Sequence, residues 1–586
     1  MINDRYYKRR YVIAGIAVLV VLVYVVRLFI LQVVDNTRSA KADSNALVRQ
    51  VVYPSRGLIY DRNDSLLVFN QPIYEVLLVV KEMGPQFDTL AFCHALHIDS
   101  LHFVERMGQI KDKRRNRGYS PYTPQVFMGQ LQKEDVSLLQ ERLFQFPGIT
   151  IRQRTLRDYT YNAAAHLLGS VGEVNQRDLD RDAYYQQGDY SGRDGIERQY
   201  EQQLRGQKGV EVLMRDSRGR IRGSYHDGEL DSSPVAGKDL HLSVDITLQQ
   251  LAEELLSEFI GSAVAIEPST GEVLTMVSQP SWDPKRLVGR QRSANYNALL
   301  NDEHKPLMNR AVQAQYAPGS TFKLLQTLVC LQEGGITPRT EYPCAGPSST
   351  PIKCTHHHGS PVNLLSAIEQ SCNPYFWCAF RDMLQKNSYD LWRNDILRFG
   401  LGSKFTDSDI PDQVSGSVPT SKFFDRIYGK KGWKPITIRS LSIGQGEILV
   451  TPLQLANQAA CIANGGYYIT PHLLHNDSSM VRHETGIKEE YFDLVKEGMH
   501  RVMTNGTGRW HNSPEWHMCG KTGTVQNPHG KDHAIFIGFA PQENPKIAVA
   551  VVVENVGFGA TWACPIATKM MRQYLQQHWP DLKTTE

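Results

Sequence analysis

The segment YAPGSTFKLLQTLVCLQEGG, residues 316–335, predicts a serine held at the start of an apolar helix. Pro318 and Gly319 supply a turn, and residues 321–331 have the composition of a helix that the following glycine pair ends. Ser320 and Lys323 are three residues apart and therefore share one helix face. A lysine in a dry, cation-rich cleft has a lowered pKa and can take a serine proton. Taken alone, the pattern equally describes an N-cap serine followed by a surface lysine.

Two later motifs make this pattern more specific for a catalytic serine. Ser371-Cys372-Asn373 lies in IEQSCNPYF (368–376), and Lys521-Thr522-Gly523-Thr524 lies in CGKTGTVQ (519–526). The three motifs follow one another at intervals of roughly 50 and 150 residues. A helix-borne serine, a loop serine–asparagine pair and an edge-strand lysine can line three walls of one cleft. The set S-x-x-K, S-x-N and K-T-G is shared by β-lactamases and penicillin-binding proteins.

On these motifs the chain resembles the class B penicillin-binding proteins and, within that family, the cell-elongation branch, penicillin-binding protein 2. The resemblance extends from about residue 20 to about residue 570. The further matching elements are RGLIYDRN (56–63), AAH (164–166) with Gly169, LRG (204–206), IGQG (443–446), TPLQ (451–454), and DHA (532–534) with GFAP (538–541). The resemblance implies a peptidoglycan D,D-transpeptidase that needs no cofactor for catalysis.

The resemblance also implies a role for each residue of the first two motifs. Ser320 would attack the penultimate D-Ala carbonyl of a stem peptide and form an acyl-enzyme, and Lys323 would take the serine proton. Ser371 would relay a proton to the leaving D-Ala, and Asn373 would orient the amide of the donor peptide. β-Lactams would imitate the donor and stop at the acyl stage.

The third motif would hold the substrate. The resemblance assigns Lys521, Thr522 and Thr524 to the terminal carboxylate. Gly523 is expected among the substrate-binding residues, and Lys521 is also counted among the catalytic residues. The backbone N–H groups of Ser320 and Thr524 would form the oxyanion hole.

A cysteine- and histidine-rich segment lies between the first two motifs. Three thiols and a histidine within about thirty residues can make a closed, structural Cys3His zinc site, although the spacing is looser than in zinc fingers. The rival interpretation is a disulfide, such as Cys344–Cys354, beside an exposed histidine run. A metal in this region of some elongation-type relatives favours zinc, and Cys372 can be a ligand only if its side chain points away from the cleft. The candidate ligands are Cys344, Cys354, His357, His358 and Cys372.

The N-terminus predicts a membrane anchor. A basic stretch, residues 1–10, precedes apolar residues 11–34, which are long enough to span a bilayer with Arg27 near one end. A cleaved signal peptide is disfavoured, because the apolar run exceeds a typical h-region and no small-x-small site follows. The basic flank should stay in the cytoplasm. We therefore expect a single-pass protein of the cytoplasmic (inner) membrane with the bulk of the chain on the periplasmic side.

At 586 residues the chain is too long for one core. We expect a cytoplasmic tail (1–10), a transmembrane helix (11–34), an elongated non-catalytic pedestal or dimerisation-type module (35–235), a transpeptidase domain (236–578) and a C-terminal tail (579–586). The net charge of +3 does not predict a basic field of the size that nucleic-acid binding needs, so we expect no nucleic-acid partner.

The predicted fold class is α+β, with a central antiparallel sheet flanked by helices. Paired strands are expected at 262–267 with 272–278 and at 534–540 with 547–554, and a closing helix at 564–578. The helix expected at 246–259 should bury Leu248, Leu251, Leu255 and Phe259.

Two other functions fit part of the sequence. A D,D-carboxypeptidase or β-lactamase would use the same three motifs with water as the acceptor, but the sequence offers no convincing deacylating glutamate, and module 35–235 is superfluous for a β-lactamase. Alternatively, the anchor and that module could mainly activate a membrane glycan polymerase of the shape, elongation, division and sporulation (SEDS) family, alongside other elongation-complex proteins.

Overall fold

A computed structural model describes residues 4–30, 47–85, 87–114, 116, 119–215, 221–430 and 432–583. By its internal contacts the chain forms two compact units. The first unit is Met1–Arg56, Ile73–Arg154 and Arg205–Gly237, and the second is Gly57–Pro72, Thr155–Leu204 and Lys238–Glu586. Each unit is therefore assembled from separate stretches of chain. The domain boundaries expected from the sequence remain predictions.

Regular elements before residue 238 are mostly short. The helices are α1 (Asp4–Phe29), α2 (Val80–Met83), α3 (Thr89–Ala95), α4 (Ser100–Lys111), α5 (Lys133–Glu141), α6 (Ala165–Leu168), α7 (Gln176–Arg181), α8 (Gly195–Gln199) and α9 (Glu201–Leu204). The strands are β1 (Leu47–Val52), β2 (Ile59–Tyr60), β3 (Leu66–Leu78), β4 (Gln125–Leu131), β5 (Ile149–Tyr159), β6 (Val171–Glu173), β7 (Tyr190–Gly192), β8 (Gly209–Arg215) and β9 (Ile221–Ser224).

After residue 238 the helices are longer. They are α10 (Ile246–Leu256), α11 (Arg292–Leu300), α12 (Arg310–Gln313), α13 (Lys323–Gln332), α14 (Leu364–Glu369), α15 (Asn373–Lys386), α16 (Tyr389–Leu397), α17 (Ser421–Tyr428), α18 (Pro452–Ala463), α19 (Glu489–Thr504) and α20 (Ala563–His578). The strands are β10 (Leu240–His241), β11 (Gly261–Ile266), β12 (Val273–Gln279), β13 (Tyr467–Ile469), β14 (Arg482–Glu484), β15 (Cys519–Val525), β16 (His533–Ala540) and β17 (Ile547–Val553).

Helix α1 contains a segment that fits the predicted membrane anchor. Arg9–Phe29 is 21 residues long, apolar enough to cross a bilayer, and fully exposed. It is the one such helix among the described residues. Residues 31–34 of the predicted span lie outside the described part of the chain.

The first unit has its own aromatic core. Strands β1, β8 and β9 form an antiparallel sheet, and residues 74–78 of β3 pair with β4. Beside these, four buried rings pack with centroid separations of 5.4–5.9 Å, an arrangement typical of edge-to-face aromatic packing. The four rings are those of Phe92, Phe103, Phe127 and Phe146.

The second unit is built on the predicted antiparallel sheet, in the order β12-β11-β17-β16-β15. Every residue of β11, β12 and β17 is buried, so both faces of the sheet are covered. Helices α10 and α20 pack on each other and on the sheet, and α18 packs on β11, β16 and β17. Strand β15, which carries the K-T-G motif, is at the edge and can present its backbone to a ligand.

One detail of the predicted packing is wrong. In α10 the buried residues are Ile246, Leu248, Gln249, Ala252 and Leu256, whereas Leu251 and Leu255 are only half-buried. The buried face therefore includes a small residue that a search for large apolar side chains misses.

Candidate active site

Ser320 lies in a tight turn whose shape depends on two glycines. The turn is a 3₁₀ segment, Gly319–Phe322, and the α-helix begins only at Lys323, two residues later than predicted. Gly319 has a φ of +55°, and its N–H donates to the Gly444 carbonyl at 2.8 Å. Gly444 has a φ of +69°, and a Cβ added there would overlap the Gly319 carbonyl oxygen. Only glycine at 444 permits this approach.

The edge strand β15 runs against the serine turn at van der Waals distance. A Cβ added to Gly523 would lie 3.2 Å from Thr321 Cγ2, and one added to Gly319 would lie 3.1 Å from the Thr524 carbonyl oxygen. That carbonyl accepts a hydrogen bond from Gln445 Nε2 at 3.2 Å. The third motif is thus held beside the first along the strand edge.

Lys323 connects the first motif to the second. Its side chain has no solvent exposure, and Nζ donates to Asn373 Oδ1 at 2.6 Å, to the Ser371 carbonyl at 2.8 Å and to Ser371 Oγ at 3.2 Å. Burial lowers the pKa of Lys323 to about 7, although negative charge on Cys372 and Cys354 acts in the opposite direction. The neutral form of the lysine, which can act as a base, is therefore populated near pH 7.

The Ser371–Asn373 loop turns sharply between α14 and α15. Ser371 has a φ of +55°, in the left-handed region that a serine rarely occupies. Cys372 is the N-cap of α15, with Pro374 in its first turn. Asn373 Nδ2 donates to the Lys353 carbonyl at 2.9 Å. This backbone directs Ser371 and Asn373 toward Lys323 and leaves Cys372 free to face another group.

Lys521 brings a second buried lysine to the same site. Burial and the positive charge of Lys323 hold its pKa well below the usual value, and its Nζ donates to the Thr522 carbonyl at 3.1 Å. Thr522 Oγ1 lies 2.7 Å from Thr507 Oγ1, and Thr524 Oγ1 accepts from the Gly559 N–H at 3.3 Å. A negatively charged ligand at this site would stabilise the ammonium forms.

Three of these contacts come from residues to which the sequence assigns no role. Thr507, Gly559 and Gln445 each touch the K-T-G-T strand. The sequence offers a signal for Gln445 alone, because it lies in the IGQG element. Thr507 and Gly559 lie in irregular segments and are distant from the motif along the chain.

The cysteine–histidine segment forms a compact group on the other side of the Ser371–Asn373 loop. Its four possible ligand atoms all lie within 4.8 Å of one another, and its members are Cys344, Cys354, His358 and Cys372. The structure has free thiols at all nine cysteines, so it does not contain the alternative Cys344–Cys354 disulfide. His357, also a predicted ligand, is exposed and lies outside the group. The predicted ligand His358 is the histidine of the group.

These residues fit a structural zinc ion. His358 Nε2 lies 3.3 Å from Cys354 Sγ and 3.7 Å from Cys344 Sγ. Its Nδ1 lies 3.0 Å from the Gly359 carbonyl, which can only accept, so Nδ1 carries the hydrogen and Nε2 presents a lone pair. A hydrogen bond from Cys372 is the main cause that lowers the pKa of Cys354. Three buried sulfurs and one imidazole nitrogen are a common structural donor set for zinc.

Family models match most of the chain. A model of the penicillin-binding protein transpeptidase domain matches residues 261–575, and one of the penicillin-binding protein dimerisation domain matches residues 51–242. The relatives include two proteins named peptidoglycan D,D-transpeptidase MrdA. That of Haemophilus influenzae is 32% identical over 98% of this chain and 93% of its own length. That of Escherichia coli K12 is 31% identical over 97% of this chain and 93% of its own length.

Solved structures show the same likeness. A penicillin-binding protein 2 from Helicobacter pylori, in complex with MreC, has a TM-score of 0.77 and 25% identity over 91% of this chain and 100% of that one. Pseudomonas aeruginosa penicillin-binding protein 2 in complex with WCK 5153 has a TM-score of 0.66 and 29% identity, covering 90% of this chain and 97% of that one. A chain from a peptidoglycan synthase complex that coordinates polymerization and crosslinking has a TM-score of 0.71 and 27% identity, with 97% and 98% coverage.

Replacing Gly444 tests the geometry of the serine turn. Gly444→Ala should displace Gly319 and Ser320, and it should slow acylation by fluorescent penicillin about tenfold or more, because small misplacements of reacting groups are costly. Gly334→Ala is the matched control, since Gly334 has a φ of +67° but open space around its Cβ position. It should cost roughly 1–2 kcal/mol of stability, visible as a lower melting temperature, without slowing acylation. Equal acylation rates in the two variants would contradict the geometry.

The lowered pKa of Lys323 predicts a pH profile. Lys323 accepts the serine proton only when neutral, so the penicillin acylation rate should rise with pH through an apparent pKa of about 7 and fall about tenfold per unit below it. Stopped-flow acylation between pH 5.5 and 8.5 measures this, with Lys521, His356, Cys354 and Cys372 as the other titratable groups nearby. Lys323→Arg, which stays charged throughout, should be inactive at every pH. A flat wild-type profile would rule out the neutral lysine as the base.

Proposed function

Because this chain belongs to the penicillin-binding protein transpeptidase family, we propose that it cross-links peptidoglycan stem peptides as the D,D-transpeptidase of cell elongation. The observation that carries the proposal is the fully buried side chain of Lys323, which lies three residues after Ser320. Its Nζ donates hydrogen bonds to Ser371 and Asn373. The MrdA proteins, aligned over nearly the whole chain, support the same activity.

The first half-reaction forms an acyl-enzyme on Ser320. Its Oγ attacks the carbonyl carbon of the penultimate D-Ala while neutral Lys323 takes the hydroxyl proton. The tetrahedral intermediate then collapses, the peptide C–N bond breaks, and the terminal D-Ala leaves. Ser371 Oγ, 3.2 Å from Lys323 Nζ, passes a proton from the lysine to the departing amine. β-Lactams enter the same step and remain as the acyl group.

The edge strand β15 holds the donor peptide. Lys521, Thr522 and Thr524 bind its terminal carboxylate, and Gly523 lets the strand lie close to the serine turn. Asn373 Nδ2 and Oδ1 are already bonded to Lys353 and Lys323, which fixes the amide for contact with the donor. The N–H groups of Ser320 and Thr524 receive the developing oxyanion, where one such donor stabilises the transition state by about 2.7–4 kcal/mol.

The second half-reaction transfers the acyl group to an amine. An amine of a second stem peptide attacks the ester carbon, a C–N bond forms, and the bond from carbon to Ser320 Oγ breaks. The proton released by the amine returns through Ser371 to the serine oxygen. The product is a peptide cross-link, and the free enzyme is regenerated.

The cysteine–histidine group is proposed to hold one structural zinc ion, with Cys344, Cys354, His358 and Cys372 as ligands. When bound, zinc would cross-link the loop of residues 344–358 to the N-terminus of α15. Because Cys372 stands between Ser371 and Asn373, this cross-link would also fix the positions of those two side chains. Catalysis itself requires no cofactor in this proposal.

Helix α1 is proposed to be a single-pass anchor in the cytoplasmic membrane, with the basic N-terminus inside and the rest of the chain outside. Module 35–235 is proposed as the pedestal that contacts a SEDS-family glycan polymerase and other elongation-complex proteins. Two similar structures support this proposal. One is a complex with MreC, and the other belongs to a peptidoglycan synthase complex.

Product analysis tests the activity. Purified full-length protein, given a pentapeptide donor and an amine-bearing acceptor peptide, should release D-Ala and form a cross-linked dimer detectable by mass spectrometry. Asn373→Asp keeps the size of the side chain but puts a carboxylate beside Lys323, so it should raise the pKa of the lysine and reduce both products at neutral pH. Release of D-Ala with a shortened donor and no dimer would identify a carboxypeptidase instead.

Metal analysis tests the zinc proposal. Purified protein should contain about one zinc ion per chain, and Cys354→Ser should lose most of it and melt at a lower temperature. Cys378→Ser is the matched control, because Cys378 is a half-buried free thiol of α15 outside the group. Absence of zinc, together with seven rather than nine titratable thiols in the unfolded protein, would establish a disulfide instead.

A further inference from the structure

Two threonines of strand β15, Thr522 and Thr524, are each contacted by a group from another segment of the chain. Because Gly523 separates them, their side chains lie on the same face of the strand. Thr524 Oγ1 accepts a hydrogen bond from the Gly559 N–H at 3.3 Å. Thr522 Oγ1 lies 2.7 Å from Thr507 Oγ1. The proposed mechanism gives neither contact a function.

The two threonine hydroxyls can bind a carboxylate in only one orientation. A carboxylate only accepts hydrogen bonds, so each threonine must point its single hydroxyl hydrogen at the ligand. The Gly559 N–H can only donate, which leaves the hydrogen of Thr524 for the ligand. In the Thr507–Thr522 pair either hydroxyl can be the donor. Thr522 can donate to a carboxylate and keep this contact only if Thr507 donates to it.

Thr507 lies in a turn that is bonded to the end of helix α19. The residues on either side of it donate their N–H groups to carbonyls of the helix, Gly506 to Arg501 at 2.8 Å and Gly508 to Val502 at 2.9 Å. The Thr507 side chain is half-buried. Its partner hydroxyl lies on β15, which is fixed by pairing with β16 along its whole length. The backbone therefore holds the two hydroxyls together on both sides.

We propose that Thr507 is a positioning residue that makes Thr522 a hydrogen-bond donor and so gives the site its preference for a donor peptide that ends in a carboxylate. A hydroxyl that accepts one hydrogen bond donates a stronger one, because the two bonds polarise each other. An uncharged terminal amide can donate to Thr522 as well as accept from it, so it does not need this orientation. The proposal rests on the proposed transpeptidase function and adds the group that distinguishes a charged end from an uncharged one.

The experiment compares two thioester donors on the purified full-length protein. One is benzoyl-D-alanyl thioglycolate, whose carboxylate stands for that of the terminal D-Ala, and the other is its uncharged thioglycolamide. The loss of thioester absorbance gives kcat/KM for each donor, and the ratio of the two values measures the preference for the carboxylate.

The variants change one hydroxyl at a time. Thr507→Val keeps the shape of the side chain and removes the hydroxyl, Thr507→Ala removes the hydroxyl without replacing its bulk, and Thr507→Ser keeps a hydroxyl. Thr504→Val is the matched control, because Thr504 is exposed and its hydroxyl donates to the His500 carbonyl within α19 at 3.2 Å.

The expected result is a selective loss for the charged donor. Thr507→Val and Thr507→Ala should lower kcat/KM for the thioglycolate about fivefold and change it less than about twofold for the thioglycolamide, as expected for one lost hydrogen bond at a charged ligand. Thr507→Ser and Thr504→Val should keep the wild-type preference. In a Thr522→Val background, Thr507→Val should have no further effect, because its partner is absent.

The results that would overturn the proposal differ from the one that would reject the function. An unchanged preference in Thr507→Val and Thr507→Ala, or an equal loss with both donors, would show that Thr507 does not select the carboxylate. A further fivefold loss on adding Thr507→Val to Thr522→Val would show that it does not act through Thr522. Failure of the wild type to react with either thioester or with penicillin would instead reject the proposed function.

Discussion

The active site depends on one buried ammonium group. Lys323 Nζ is removed from water, and an unpaired charge there would cost several kcal/mol, so it must be surrounded by hydrogen-bond acceptors. Two residues, Ser371 and Asn373, supply all three acceptors found for it. The same burial that demands these partners lowers the pKa of the lysine to about 7. The position of the Lys323 side chain and the availability of its neutral form therefore have a single cause.

A three-residue loop serves two centres at once. The positive φ of Ser371 and the N-cap position of Cys372 place alternate side chains on opposite sides. Ser371 and Asn373 meet Lys323, while Cys372 joins the group with Cys354. A change in this loop therefore affects both the base and the cysteine group.

The sequence predicts those features that depend on local pattern or motif. The hairpin at residues 261–279, the central sheet and the meeting of Lys323 with Ser371 are of this kind. The sequence does not distinguish His358 from His357, because that choice depends on how the loop returns to the cysteines. It also does not identify Gly444, since a close approach of two backbones is a property of the fold. Thr507 is missed for the same reason.

The central claim is that Ser320 is the nucleophile and that Lys323 activates it. Intact-protein mass spectrometry after incubation with penicillin tests this most directly, followed by peptide mapping of the adduct. The account predicts one penicillin per chain on Ser320, and none in Ser320→Ala at the same exposure. Acylation of Ser320→Ala, or an adduct mapped to Ser371 or any other residue in the wild type, would contradict it.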